Sequence, residues 1–144
     1  VDARRSDVSG WSVGEHVEHL LLADRWVLSW VERAIDEPER GSTDGGPTLP
    51  GRLVLLTGFI PRGRGTAPEA TVPRGLVAIE LADELVDLRR RVTDLGRCLE
   101  AIRVCRARLA HPVLGRLSAA EWLRFLAVHH RHHEKVVDEI LSGV

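Results

Sequence analysis

The chain has 144 residues, 44% of them hydrophobic, and sets 20 basic against 21 acidic side chains, for a formal charge of −1 with its seven histidines taken as neutral. That describes one domain spanning residues 1–144, long enough to bury roughly two-thirds of the unfolded chain's surface without help from disulfides. The totals give no sign of disorder and no basic excess for nucleic acid, and there is neither a run of about 18 apolar residues to span a membrane nor an apolar signal core, so a cytoplasmic protein with no nucleic-acid or membrane partner is expected.

The first element opens at Trp11-Ser12-Val13-Gly14-Glu15, where Ser12 followed by Glu15 fits a capping box, and is predicted to run to about Glu37 before Pro38. The stretch Gly41 to Gly51 is rich in Gly and Pro and reads as a loop, followed by a short apolar piece from Arg52 to Ile60. From Pro61 to Gly75, Pro and Gly recur every few residues, which predicts a surface loop. Its Arg62, Arg64 and Arg74 read as solvated, or as able to hold an anionic substrate group.

From about Leu76 to Leu109 the apolar residues Leu81, Leu85, Leu88, Val92, Leu95, Leu99 and Ile102 alternate spacings of four and three, the pattern of a helical bundle seam. Cys98 and Cys105 fall seven residues apart on that helix, outside the histidine rows, roughly 10 Å from one another and unable to pair. They are expected simply to pack. His111-Pro112 ends the helix and Leu114-Gly115-Arg116 makes a tight turn. The last helix starts at Ser118, with Glu121 completing a second capping box, and continues to about Leu141 with Gly143 just past its end. No strand pattern competes. Three long helices and one short one predict an all-α fold, an antiparallel up-down four-helix bundle.

Six of the seven histidines lie on the first and last helices, and His111 sits in the turn. In the last helix, Trp122, Leu126, His129, His133, Val136 and Ile140 follow one four-and-three row, so His129 and His133 occupy core positions. His130 and His132 point roughly 80° to either side. A buried imidazole without a partner costs about 1–3 kcal/mol, so the pair aimed into the bundle needs something to satisfy it. Histidines at i and i+4 share a helical face and can share a metal ion. The first helix offers a third ligand in His16 or His19, which head the row continued by Ala23, Trp26 and Trp30. Glu15, four residues before His19, could support a ligand's ring. Three histidines from two helices suit a borderline ion such as Zn²⁺, Ni²⁺ or Fe²⁺ and leave positions open for water or substrate. Trp11, Trp26, Trp30 and Trp122 read as core residues.

The residues Trp11 to Leu20, the Pro61 to Glu69 loop, and the closing His111-Pro112, Leu114-Gly115, Leu117-Ser118, Glu121-Trp122, Phe125-Leu126 and His129 to His133 resemble the DinB/YfiT-like superfamily in order and separation. The resemblance implies a four-helix bundle with a divalent ion held by His19, His129 and His133, choosing His19 over His16. It further implies a metal-dependent enzyme using a low-molecular-weight thiol such as bacillithiol or mycothiol, most simply a thiol S-transferase or a related hydrolase or isomerase acting on a small molecule. The alternatives are a non-catalytic metal-binding bundle and a metal-free dimerisation module, with a homodimer as a further expectation. Members usually carry a helix before the Trp motif, whereas ten residues precede Trp11 here and position 1 is Val. The expectation is that either that helix is missing from Val1 onward or the bundle is completed some other way. A bound dication would move the net charge from −1 to about +1, concentrated inside the bundle.

Overall fold

A computed structural model describes residues 1–63 and 66–143. Its two longest helices are those with the clearest sequence caps. Helix α1 spans Val13–Asp36, with Ser12 Oγ accepting the Glu15 N–H at 3.2 Å and the Glu15 carboxylate accepting the Ser12 N–H at 2.6 Å. The last helix, α5, spans Ala119–Leu141 and repeats the device with Ser118 and Glu121 at 3.3 and 2.8 Å. Each box satisfies two helix-end donors that have no acceptor within the helix. The expected inward row of α5 is observed: Trp122, Leu126, His133, Val136 and Ile140 are buried and His129 is half-buried.

Helix α2, Leu49–Thr57, begins earlier than the composition suggested. Thr48 caps it by accepting the Gly51 N–H at 3.2 Å, and Pro50 falls in its first turn, where a missing N–H costs nothing. Gly58, at φ 68°, takes the left-handed conformation that stops it. A Cβ at Gly51 would overlap the Leu114 carbonyl oxygen, so glycine lets α2 lie directly on the backbone of the later hairpin.

The predicted helix from Leu76 to Leu109 is shorter and broken. Helix α3 covers Ala78–Leu95, a 3₁₀ turn follows at Gly96–Cys98, and α4 covers only Leu99–Val104. The chain then forms a hairpin of β1, Arg108–His111, and β2, Gly115–Ser118, paired antiparallel from Arg108 with Ser118 to His111 with Gly115. Strands were not expected there. Buried Ala107 and Leu117 alternate with more exposed neighbours, a period-two signal too short to stand out beside the helical row before it. The cysteines therefore do not share one helix: Cys98 lies in the 3₁₀ turn and Cys105 caps α4, its thiol directed to the Ala34 carbonyl at 3.4 Å. Only every seventh residue of the expected seam is buried, namely Leu81, Leu88, Leu95 and Ile102, while Leu85, Val92 and Leu99 face outward. Trp26 is likewise exposed at 45%, lying edge-on against buried Trp122 rather than inside the core.

The α1 helix packs between α3 and α5, and α5 also carries α2. Hydrogen bonds joining His16 to His133 and Asp24 to His130 show that α1 and α5 run antiparallel. Arg25 with Glu84 and Glu32 with Arg91 show that α3 runs parallel to α1, because the long connection through α2 carries the chain back first. With α3 and α4 forming one broken rod, the result is the expected four-helix bundle, with a small hairpin added. Among the described residues no helix is long and apolar enough to cross a membrane.

Candidate metal centre

The antiparallel packing of α1 on α5 brings His19, His129 and His133 together. Nε2 of His129 lies 3.2 Å from Nε2 of His19 and 3.1 Å from Nε2 of His133. The three ligand atoms all fall within 4.8 Å of one another. Tetrahedral coordination with Zn–N bonds of 2.0–2.1 Å puts neighbouring nitrogens about 3.3 Å apart, close to both contacts.

The protons explain why a cation fits this arrangement. Nδ1 of His19 donates to the Thr71 carbonyl at 2.7 Å, so its Nε2 is a bare lone pair. His129 Nε2 stands between that lone pair and His133, and a neutral ring has at most one proton to place there. A proton on His129 Nε2 or on His133 Nε2 can satisfy one of the two nitrogen contacts but leaves the other unmet, whereas one ion satisfies all three rings. Among the described residues the buried Nδ1 of His129 has no hydrogen-bond partner, so hydrogen bonding among them does not account for this ring's position.

The surroundings keep these rings neutral, as ligands must be. Burial, aided by neighbouring histidines, pushes His129 down to about 3 and His133 down to about 2. Burial also lowers His19, against the opposing pull of the Thr71 carbonyl. Two aromatic rings lie against the cluster. Trp11 lies with its ring centroid 4.9 Å from His19 and stacks on His133 at 6.4 Å, and Phe125 stacks on His129 at 5.4 Å.

The other candidates from the sequence are placed elsewhere. His16 is buried but turns Nδ1 toward Nδ1 of His133 at 2.9 Å, so it borders the cluster without joining it. Glu15 supports no ring; its carboxylate caps α1 and pairs with Arg4. His130 leaves the core for Asp24, at 2.8 Å, and His132 lies edge-on against His133. His111 accepts the N–H groups of Val113 and Leu114 at the hairpin turn. Arg62 makes a bidentate pair with Glu139 at 2.6 and 2.7 Å, Arg74 exposes its side chain, and Arg64 lies outside the described residues. Two surface clefts, one lined by Arg25 and the acidic side of α3 and the other by Thr43 and Arg103 to Arg106, do not include the histidines.

Two contributors escaped the sequence reading. Glu18 is only 1% exposed, and its carboxylate accepts three backbone N–H groups, from Arg74 at 2.7 Å, Gly75 at 2.9 Å and Leu76 at 3.0 Å. It pins the loop expected to be surface, and the 3₁₀ turn Glu69–Thr71 within that loop carries the carbonyl that holds His19. A signal was present: Glu18 interrupts the row Gly14, Leu21, Leu28 on the buried side of α1. Thr71 acts through its backbone, which leaves no trace in residue type.

The model of the DinB superfamily matches residues 3–137 of the chain. No curated protein and no solved structure matches it.

Proposed function

Because the chain belongs to the DinB superfamily, we propose that it is a divalent-metal-dependent enzyme that joins a low-molecular-weight thiol to a small electrophile, or a related hydrolase or isomerase, with His19, His129 and His133 as the metal ligands. The observation carrying this reading is the convergence of three neutral imidazole nitrogens on one point, with no carboxylate or thiol joining the group among the described residues. Structural zinc sites close all four positions with protein ligands, whereas three ligands leave one for substrate. An ion there, Zn²⁺, Ni²⁺ or Fe²⁺, supplies Lewis acidity and keeps a thiol deprotonated at neutral pH. The chain's own part is to hold the ligands and shape their surroundings. Thr71 orients His19, and Trp11 and Phe125 keep bulk water from two of the ring faces.

The test is a panel of low-molecular-weight thiols assayed against a reactive electrophile, with zinc-, nickel- and iron-loaded protein, chelated protein and His129→Ala in parallel. Turnover that needs both thiol and metal and disappears in His129→Ala is the expected result. Full metal occupancy without turnover for any thiol would instead favour an ion that only ties α1 to α5, a reading suggested by ligands drawn from both helices. That ion would act on stability alone.

A further inference from the structure

His16 is an imidazole the metal reading does not use, yet it is 3% exposed and bonded at both nitrogens. Its Nδ1 faces His133 Nδ1 at 2.9 Å, and its Nε2 faces Ser9 Oγ at 3.0 Å. Two ring nitrogens at that distance share one proton, and which ring owns it decides what His133 presents to the cluster. If His16 donated, the proton of a neutral His133 would sit on Nε2, directed at His129 Nε2 3.1 Å away, and no lone pair would remain for an ion. If His133 donates, its Nε2 is bare, and the proton of His16 lies on Nε2 where the Ser9 hydroxyl accepts it. The Ser9 oxygen also takes the Trp11 N–H at 3.1 Å, within the capacity of its two lone pairs.

We propose that His16 is a positioning residue that accepts the Nδ1 proton of His133 and thereby fixes the tautomer whose Nε2 lone pair faces His19 and His129. Its purpose rests on the metal-site reading above, but the hydrogen bond itself exists or fails without metal. His16 does for His133 what the Thr71 carbonyl does for His19. Partners of this kind fix ring orientation and raise ligand basicity, and their loss typically weakens metal binding about 10–100-fold. A merely space-filling His16 predicts something different: an apolar residue of similar size would serve as well.

The test compares wild type with His16→Leu and His16→Asn. Leucine fills the space without an acceptor, while the asparagine amide oxygen restores one near the place of Nδ1. Imidazole ¹⁵N shifts of chelator-treated protein report the His133 tautomer, and competition with a chromophoric chelator reports zinc affinity. The proposal expects the Nδ1–H tautomer in wild type, zinc binding about 10–100-fold weaker in His16→Leu, and recovery to within about threefold in His16→Asn. A wild-type His133 carrying its proton on Nε2 would overturn it, as would a folded His16→Leu that binds zinc like wild type. If wild type binds no zinc, the metal reading fails and the tautomer alone decides the role of His16. If His16→Leu does not fold, the wild-type tautomer and His16→Asn carry the decision.

Discussion

The Thr71 carbonyl accepts the Nδ1 proton of His19 at 2.7 Å, so a residue from the connection between α2 and α3 sets the orientation of a ring on α1. That connection is anchored one residue before His19, where the Glu18 carboxylate gathers three consecutive backbone N–H groups. Replacing Glu18 with Gln keeps the size but removes one acceptor oxygen and turns an amide N–H₂ toward donors. Leaving buried donors unpaired costs about 1–3 kcal/mol each, and more where a charged partner is lost. Glu18→Gln is expected to lower unfolding stability by about 2–3 kcal/mol in denaturant titrations, and to weaken zinc binding because Thr71 shifts with the loop. Unchanged affinity in a destabilised variant would separate the loop from the site.

Metal-free protein should lose stability as the pH falls below about 6.5. In the unfolded chain the histidines take up protons near that pH, whereas in the fold burial delays protonation of His111 to about 4, His129 to about 3 and His133 to about 2. The unfolded state therefore binds more protons throughout the interval. Stability is complete above about pH 6.5 and declines below it, because each such histidine takes up its proton in the unfolded chain before it can in the fold. His130 works the other way, since its bond to Asp24 raises its pKa and its contribution fades as pH rises through the folded value. Melting temperatures of chelated protein between pH 7.5 and 5 should fall steadily; a flat profile would mean the cluster is open to solvent.

Trp11 offers an optical report. Its ring lies against His19 and stacks on His133, while Trp122 packs edge-on against Trp26 and reaches the cluster only through Phe125. Binding of Co²⁺ or Cu²⁺ should quench the tryptophan emission, most strongly that of Trp11, so the quenched fraction should shrink in Trp11→Phe. Quenching undiminished in Trp11→Phe would place the ion elsewhere.

Gly51→Ala should cost about 1–3 kcal/mol, the usual range for forcing extra atoms into a packed contact, because its Cβ meets the Leu114 carbonyl oxygen. The loss should appear in the denaturation midpoint and leave zinc affinity unchanged, since α2 supplies no ligand.

What could be read in advance follows from how local each cause is. The ends of α1 and α5 were legible because Ser12 with Glu15, and Ser118 with Glu121, complete their caps within four residues. The facing of His129 and His133 was legible because their row is otherwise apolar. The start of α2 was obscured by Pro50, a breaker inside a helix but a good residue in its first turn. The hairpin offered only four residues per strand. The supports of the site were hidden for another reason: Thr71 contributes a carbonyl from 52 residues away and Glu18 receives backbone donors from 56 to 58 residues away. Spacing alone left His16 and His19 open and the family resemblance chose His19; the packing of α1 on α5 gives the physical reason, turning one ring into the cluster and the other toward Ser9.

The most direct measurement is the metal content of tag-free protein, by elemental analysis, beside His19→Ala, His129→Ala and His133→Ala. One divalent ion per chain in wild type, and its loss from each variant while the helical content is retained, is the predicted result. Stoichiometric metal in all three variants, or none in wild type after purification with zinc present, would contradict a metal centre at these histidines.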